Sequence, residues 1–295
     1  MTTSISSTSP STPELVKAAP GTVERIVLTV PDPQATAEFL SSGLDMEIVE
    51  NDGRLLAVCD GEYGSGRGQG AIELVAGDEL VVDKLIFALP ADAELDQLQR
   101  MLGGSRTDTS LELVEPATQV TVVFEVGAQL AVAVPDASVL RPRRMGHVNL
   151  KSPQPAETAS FFQDVIGLRL SEYIGDALFW LRTDTEHHNV ALRPGGPRAV
   201  HHLGFEVAGW HAYQPILDRL GTRGYKVEYG PGRHRPGRSL FTYVCDPASG
   251  LRVELFADMV HIPDGSTPPI AWEPGDRMTK TLNTWGPLPP ESFLA

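Results

Sequence analysis

Two histidine doublets stand in stretches of apolar, alternating residues: EHHNVAL at 186–192 and VHHLGFEV at 200–207. A strand turns adjacent side chains to opposite faces, so the two members of a doublet cannot easily share one task. A third strand-borne histidine, His147 in GHVNL, and a carboxylate, Glu254 in RVELF, add groups that strands rarely bury without a partner. Two neutral imidazoles and one carboxylate make the facial ligand set that holds Fe(II) and leaves other coordination positions open. Zn(II) accepts such ligands too, and Mn(II) is compatible with them.

The elements that must position these groups come from an internal repeat. RIVLTVPDPQATAEFLSSGLDMEIVE, from Arg25, aligns with HVNLKSPQPAETASFFQDVIGLRLSEY, from His147. Each is an alternating strand, a P-x-P turn, a short amphipathic helix, then Gly-Leu and another strand. Pro31 and Pro33 fall on Pro153 and Pro155, and Phe161, Phe162, Val165 and Ile166 form a helical stripe expected to be buried. More loosely, KLIFALP and the helix after it resemble HLGFEV and the helix that closes near Gly221 or Gly224. The predicted fold is α+β, four repeated βαβββ units paired into two half-open domains. Residues 1–21 read as a disordered tail, 22–138 and 143–260 as the two domains. Residues 261–295 read as a tail lying over the second domain and its site, burying Trp272 and Trp285.

The duplication serves as an internal control. His147 falls on Arg25, His202 on Lys84, and Glu254 near Val132 or Ala133 of the strand AVAV. The set His147, His202 and Glu254 is therefore confined to the C-terminal half, which is predicted to hold the metal, while the N-terminal half is degenerate.

The bulk properties narrow the class. A formal charge of −14 over 295 residues, with no dense Lys/Arg cluster, argues against coating nucleic acid. Two cysteines, Cys59 and Cys245, are too few for a disulfide framework and fit a cytoplasmic setting. No apolar run reaches the roughly 18 residues of a membrane span. The Ser/Thr/Pro-rich start lacks the apolar core of a signal peptide.

At these residues the chain resembles the type I extradiol catechol dioxygenases of the vicinal oxygen chelate superfamily, most of all the homoprotocatechuate 2,3-dioxygenase branch. The resemblance is carried by GHVNL (146–150), FWLRTDTEHHNVAL (179–192), GPRAVHHLGFEV (196–207), GPGRH (230–234), TYVCDPASGLRVEL (242–255) and TWGPLPPESF (284–293). It implies an Fe(II) site, with Mn(II) as the other metal, on His147, His202 and Glu254. It implies His188 as acid–base catalyst, with Tyr243 and His234 assisting, and Asn149 and Trp180 lining the substrate pocket. The implied reaction inserts both atoms of O2 into a substituted catechol, giving a hydroxymuconic semialdehyde, within a homo-oligomer. Tyr229 stands where the homoprotocatechuate branch has an arginine, so it is expected at the substrate, favouring an uncharged substituent, although Arg233, Arg235 and Arg238 lie close in sequence. DPASG is one residue longer than the usual turn, and a bulge is expected to absorb it. His187 and His201 are expected to point away from the metal as second-layer or packing residues. Cys245 is expected to be a core residue. The other chemistry compatible with the fold is a glyoxalase-like isomerase or thiol transferase, which would use the same metal as a Lewis acid.

Overall fold

The structure, a computed structural model, describes residues 23–51, 53–59, 71–89, 95–126, 140–263, 267–275 and 281–294. The N-terminal tail and the AVAV strand lie outside the described residues. Unit one is β1 (Arg25–Val30), α1 (Pro33–Glu38), β2 (Glu47–Asn51), β3 (Arg54–Val58) and β4 (Ala71–Ala76). Unit two is β5 (Val81–Leu89), α2 (Leu95–Leu102), β6 (Ser105–Arg106), β7 (Ser110–Val114) and β8 (Thr121–Val126). Unit three is β9 (Arg144–Ser152), α3 (Pro155–Phe161), β10 (Arg169–Ile174), β11 (Leu178–Arg182) and β12 (Val190–Pro194). Unit four is β13 (Val200–Glu206), α4 (Trp210–Thr222), β14 (Val227–Arg233), β15 (Leu240–Cys245) and β16 (Arg252–Ala257). A short β17 (Ile270–Trp272) and a last turn, α5 (Glu291–Leu294), complete the chain. All four units are thus βαβββ, as the repeat predicts.

The P-x-P turns start the helices. Pro33 and Pro155 occupy the first helical turn, where a missing N–H costs nothing, and the Asp32 carboxylate caps α1 by accepting from the Ala35 N–H at 3.0 Å. After α3 the helix widens into a π-turn over Phe162–Ile166 and stops at Gly167, which adopts φ 90°. That widening turns the stripe: Phe162 and Ile166 are buried, whereas Phe161 and Val165 are only half-buried.

Units one and two form one sheet in the order β2-β3-β4-β1-β5-β8-β7-β6. Units three and four form the other, β14-β15-β16-β13-β9-β12-β11-β10-β17. In each, the first strands of the two units lie side by side at the centre, so equivalent residues can be matched by register. Gly204 pairs with His147 on one side and Glu254 on the other. In the first sheet Ile86 pairs with Arg25 and Val123. The counterpart of Glu254 is therefore Val123, not a residue of the AVAV strand. Where the second sheet has His147, Gly204 and Glu254 in a row, the first has Arg25, Ile86 and Val123. Ile86 and Val123 pack with Val27 into a small apolar plug. Around it Lys84 pairs with Glu112 and Arg25 with Glu125, each at 2.7 Å. Each cation has an acidic neighbour, and the positions equivalent to His147, His202 and Glu254 carry Arg25, Lys84 and Val123.

One hydrophobic core runs through both halves. Thr36 Oγ1 donates to the buried Asp246 carboxylate at 2.7 Å, and Arg219 Nε donates to the Gly43 carbonyl at 2.9 Å. Asp246 also accepts from the N–H groups of Ala248 and Ser249. It thereby folds the DPASG turn that feeds β16. The extra residue is absorbed inside this turn: β15 and β16 stay in unbroken register from Leu240–Ala257 to Cys245–Arg252, with no bulge in the ladder. Among the described residues no helix is long and apolar enough to cross a membrane.

Candidate metal centre and its cavity

His147, His202 and Glu254 project from three adjacent strands, β9, β13 and β16, and all three are buried. The Nε2 atoms of His147 and His202 are 3.2 Å apart, and each lies 3.0 Å from Glu254 Oε2. An ion at about 2.1 Å from each donor, with right angles between them, sets its ligands about 3.0 Å apart; tetrahedral angles would require about 3.4 Å. The observed triangle matches one face of an octahedron.

Hydrogen bonding supports the same conclusion. His201 Nε2 lies 2.8 Å from the Phe293 carbonyl, so that nitrogen carries the proton. Burial, reinforced by His202, holds the His201 imidazole well below its usual pKa and keeps it neutral. Its Nδ1 lone pair then accepts from His202 Nδ1 at 2.7 Å. Burial also pushes His202 down to about 4 against the pull of Glu254. His202 Nε2 is therefore an unprotonated nitrogen facing a carboxylate oxygen. Burial alone would raise the Glu254 carboxyl, but its imidazole neighbours, His147 foremost, outweigh it and hold it well below the carboxylate range. The lone pairs of His202 Nε2 and of the Glu254 carboxylate meet beside His147 Nε2, a donor set that a divalent cation satisfies.

Gly204, at the centre of the row, escaped the sequence reading. A Cβ there would lie 2.0 Å from His147 Cε1 and 2.3 Å from its Nε2, so the ring lies flat on bare backbone. A glycine in a strand interior signals close approach, and that was the available clue. Gly204→Ala is expected to displace the His147 ring and weaken metal binding more than 10-fold, on the scale of about 10- to 100-fold typical of disturbed ligand support. Metal titration of the folded variant checks this.

A cavity opens beside the triad. One wall carries His188, His234 and Tyr243; Asn149 reaches it from β9 with its Oδ1 buried and lacking a protein partner. Apolar side chains make up much of the rest of the lining: Leu178, Trp180, Pro236, and from the C-terminal segment Leu282, Phe293 and Leu294. His188 stands 4.5 Å from His147, ring to ring, and burial, then the neighbouring imidazoles, hold it well below its usual pKa. His234 Nδ1 donates to the Leu282 carbonyl at 2.7 Å, leaving Nε2 to accept from the Tyr243 hydroxyl at 2.9 Å. Burial, then Glu254, keeps that phenol protonated, its pKa well above the usual value.

Three expectations are corrected here. Tyr229 is not on the cavity wall: it lies behind Tyr243, stacked at 6.1 Å, with its hydroxyl donated to the Pro287 carbonyl. The β14–β15 pairing shifts on both sides of Tyr229, so simple alternation does not carry its side chain to the site. Trp285 is 55% exposed and packs edge-on against the equally exposed Trp210, while Trp272 is half-buried and donates to Glu172 at 2.6 Å. Cys245 is half-buried and bonded to Glu228, away from the cavity. Of the outer histidines, His187 lies outside the cavity lining whereas His201 belongs to it, and each sets its Nδ1 against the Nδ1 of its inner neighbour.

A three-ligand metal face on paired βαβββ units is the architecture of vicinal oxygen chelate proteins. Residues 144–255 match the model of the Glyoxalase/Bleomycin resistance protein/Dioxygenase superfamily. The chain has the vicinal oxygen chelate fold. It superposes on a Mn(II)-bound glyoxalase from Novosphingobium aromaticivorans with TM-score 0.78 at 20% identity, covering 92% of this chain and 94% of that one. It superposes equally well, TM-score 0.78 at 22% identity, on homoprotocatechuate 2,3-dioxygenase from Arthrobacter globiformis, covering 97% and 93%. In sequence it is 35% identical over 156 residues to metapyrocatechase 2 of Cupriavidus necator, covering 52% of this chain and 47% of that relative. The chain thus matches about half the length of that relative.

Proposed function

We propose that the protein is an extradiol ring-cleaving dioxygenase that uses Fe(II), or Mn(II) in its place, to open a substituted catechol with O2. The observation that carries this reading is that two members of the triad, His202 and Glu254, share one cavity with an uncharged imidazole, His188, and a phenol–imidazole pair, Tyr243–His234. An isomerase working by Lewis-acid polarisation has no evident use for that second set.

His147, His202 and Glu254 would hold the metal, which would make a catechol hydroxyl more acidic and supply the redox chemistry for O2. The chain's own groups do the rest. His188, neutral and aimed at the cavity, accepts a catechol proton and can return it to the product. The Tyr243 hydroxyl, protonated and already held by His234, can swing its hydrogen bond onto the ionised catechol oxygen. Asn149 Oδ1 offers an acceptor to the remaining hydroxyl. The apolar walls hold the ring and keep water from the reacting face.

Those walls also point to the substituent. Among the described residues lining the cavity, the one permanent cation is Arg193. Its terminal nitrogens donate to the Phe293 and Leu294 carbonyls at 3.4 and 2.9 Å. An uncharged, apolar group on the catechol fits the apolar part of this lining. Cys59 and Cys245, neither of them in a disulfide, support a cytoplasmic setting, and the exposed Trp210–Trp285 pair supports assembly into a homo-oligomer.

The test is oxygen uptake by anaerobically Fe(II)-loaded protein with unsubstituted, alkyl-, aryl- and carboxyl-bearing catechols. A yellow product, strongest with the apolar substituents, is expected; no uptake with any of them would overturn the reading. Tyr243→Phe is expected to lower kcat roughly 10- to 100-fold, the worth of one hydrogen bond to a charged oxygen, with metal content unchanged. Steady-state kinetics with metal analysis checks it.

A further inference from the structure

Behind His188, on the side away from the cavity, lies a second buried polar chain. His188 Nδ1 is 3.0 Å from His187 Nδ1. His187 Nε2 lies 3.1 Å from Glu172 Oε1, off the line of a full hydrogen bond but squarely in the field of the carboxylate. The other oxygen of Glu172 accepts the Trp272 indole N–H at 2.6 Å. All of these groups except Trp272 are buried, and none of the three outer ones lines the cavity.

We infer that Glu172 and His187 are positioning residues that set the proton of His188, so that its Nε2 faces the substrate as a base. This rests on the reading of His188 given above. A nitrogen beside a carboxylate oxygen carries its proton there, because a lone pair facing that oxygen is repelled. With its proton on Nε2, the His187 ring has its lone pair on Nδ1. The close contact to His188 Nδ1 then requires His188 to be the donor. An uncharged imidazole with its proton on Nδ1 presents a bare Nε2. When that nitrogen takes a proton from a catechol hydroxyl, the O–H bond breaks, its electron pair stays on oxygen, and an N–H bond forms on His188. The resulting imidazolium keeps its Nδ1–H on His187, with Glu172 one ring further on to offset the charge. A buried carboxylate that fixes a histidine tautomer through its far nitrogen is a recurrent device in catalysis. Here a second imidazole is interposed.

Trp272 makes the inference sharply testable. In Glu172→Gln, the indole N–H still needs an acceptor and takes the amide oxygen. The amide N–H2 is left facing His187 Nε2, which must then accept. The proton shifts along the chain, and His188 ends with N–H toward the cavity, unable to act as a base. Glu172→Gln is expected to lower kcat by about 10²- to 10⁴-fold, the usual contribution of a general base, with KM and metal content unchanged. Adding Trp272→Phe frees the amide to turn its oxygen toward His187, so part of the lost kcat should return. A merely structural role would make the second change neutral or harmful.

The direct readout is the tautomer itself, by nitrogen–proton correlation spectra of isotope-labelled histidines in the protein loaded with diamagnetic Zn(II). The expected result is His188 protonated on Nδ1 in the parent and on Nε2 in Glu172→Gln. A proton on Nε2 in the parent, or no change in the variant, overturns the inference. Because this readout needs no turnover, it stands apart from the proposed reaction: failure of all catechols to react would sink that reading and leave this one to the spectra.

Discussion

Glu254→Ala is expected to fold normally and to leave the protein unable to keep a divalent metal through desalting. The carboxylate is the one formal negative charge in the triad, and its lowered pKa keeps it ionised across the neutral range. Without it, a dication would be buried against two neutral imidazoles, and the desolvation of the ion would go largely uncompensated. Disturbing the groups that support a metal ligand costs about 10- to 100-fold in affinity; losing the charged ligand itself should exceed about 100-fold. The fold should survive, because the two Nε2 atoms 3.2 Å apart can share a proton as a hydrogen bond once no carboxylate confronts them. Metal analysis beside a circular dichroism spectrum separates the two effects. Full metal content in the variant would place the ion elsewhere.

His188→Phe should produce the opposite pattern: metal retained, turnover lost. The phenyl ring fills the space of the imidazole but can neither accept nor return a proton. A fall in kcat of about 10²- to 10⁴-fold is expected. The size of the loss should depend on the substrate. A catechol bearing an electron-withdrawing group is more acidic and needs the base less, so its turnover should suffer less. Equal losses for acidic and ordinary catechols would remove His188 from the proton transfer. An unchanged rate would remove it from the reaction.

Much of this site is legible in the sequence because the chain carries its own control. Arg25 and Lys84 stand where His147 and His202 stand in the second copy, and the sheet registers place them there too. The third pairing went astray. Glu254 matches Val123 through Ile86 and Gly204, a relation that needs strand order as well as spacing, and strand order is a tertiary fact. Tyr229 shows the limit of alternation: two register shifts beside it send the ring behind Tyr243 instead of into the cavity. Trp285 shows the limit of composition, since a large apolar side chain carries no statement of what covers it. Glu172 was invisible for a different reason. It sits in an ordinary strand of charged and apolar residues; β17 lying beside β10 brings Trp272 to one of its oxygens, and the loop between β11 and β12 brings His187 to the other. Gly204 was in plain view within VHHLGFEV, but its meaning depends on the His147 ring that lies across it.

The most direct test of the central claim is the fate of the oxygen atoms. Fe(II)-loaded protein, an apolar-substituted catechol and isotopically heavy dioxygen should yield a ring-opened product carrying both labelled atoms, one oxygen molecule consumed per catechol. A rearranged substrate with no label, or catechol left intact while oxygen is untouched, would contradict the account and return the metal centre to Lewis-acid chemistry.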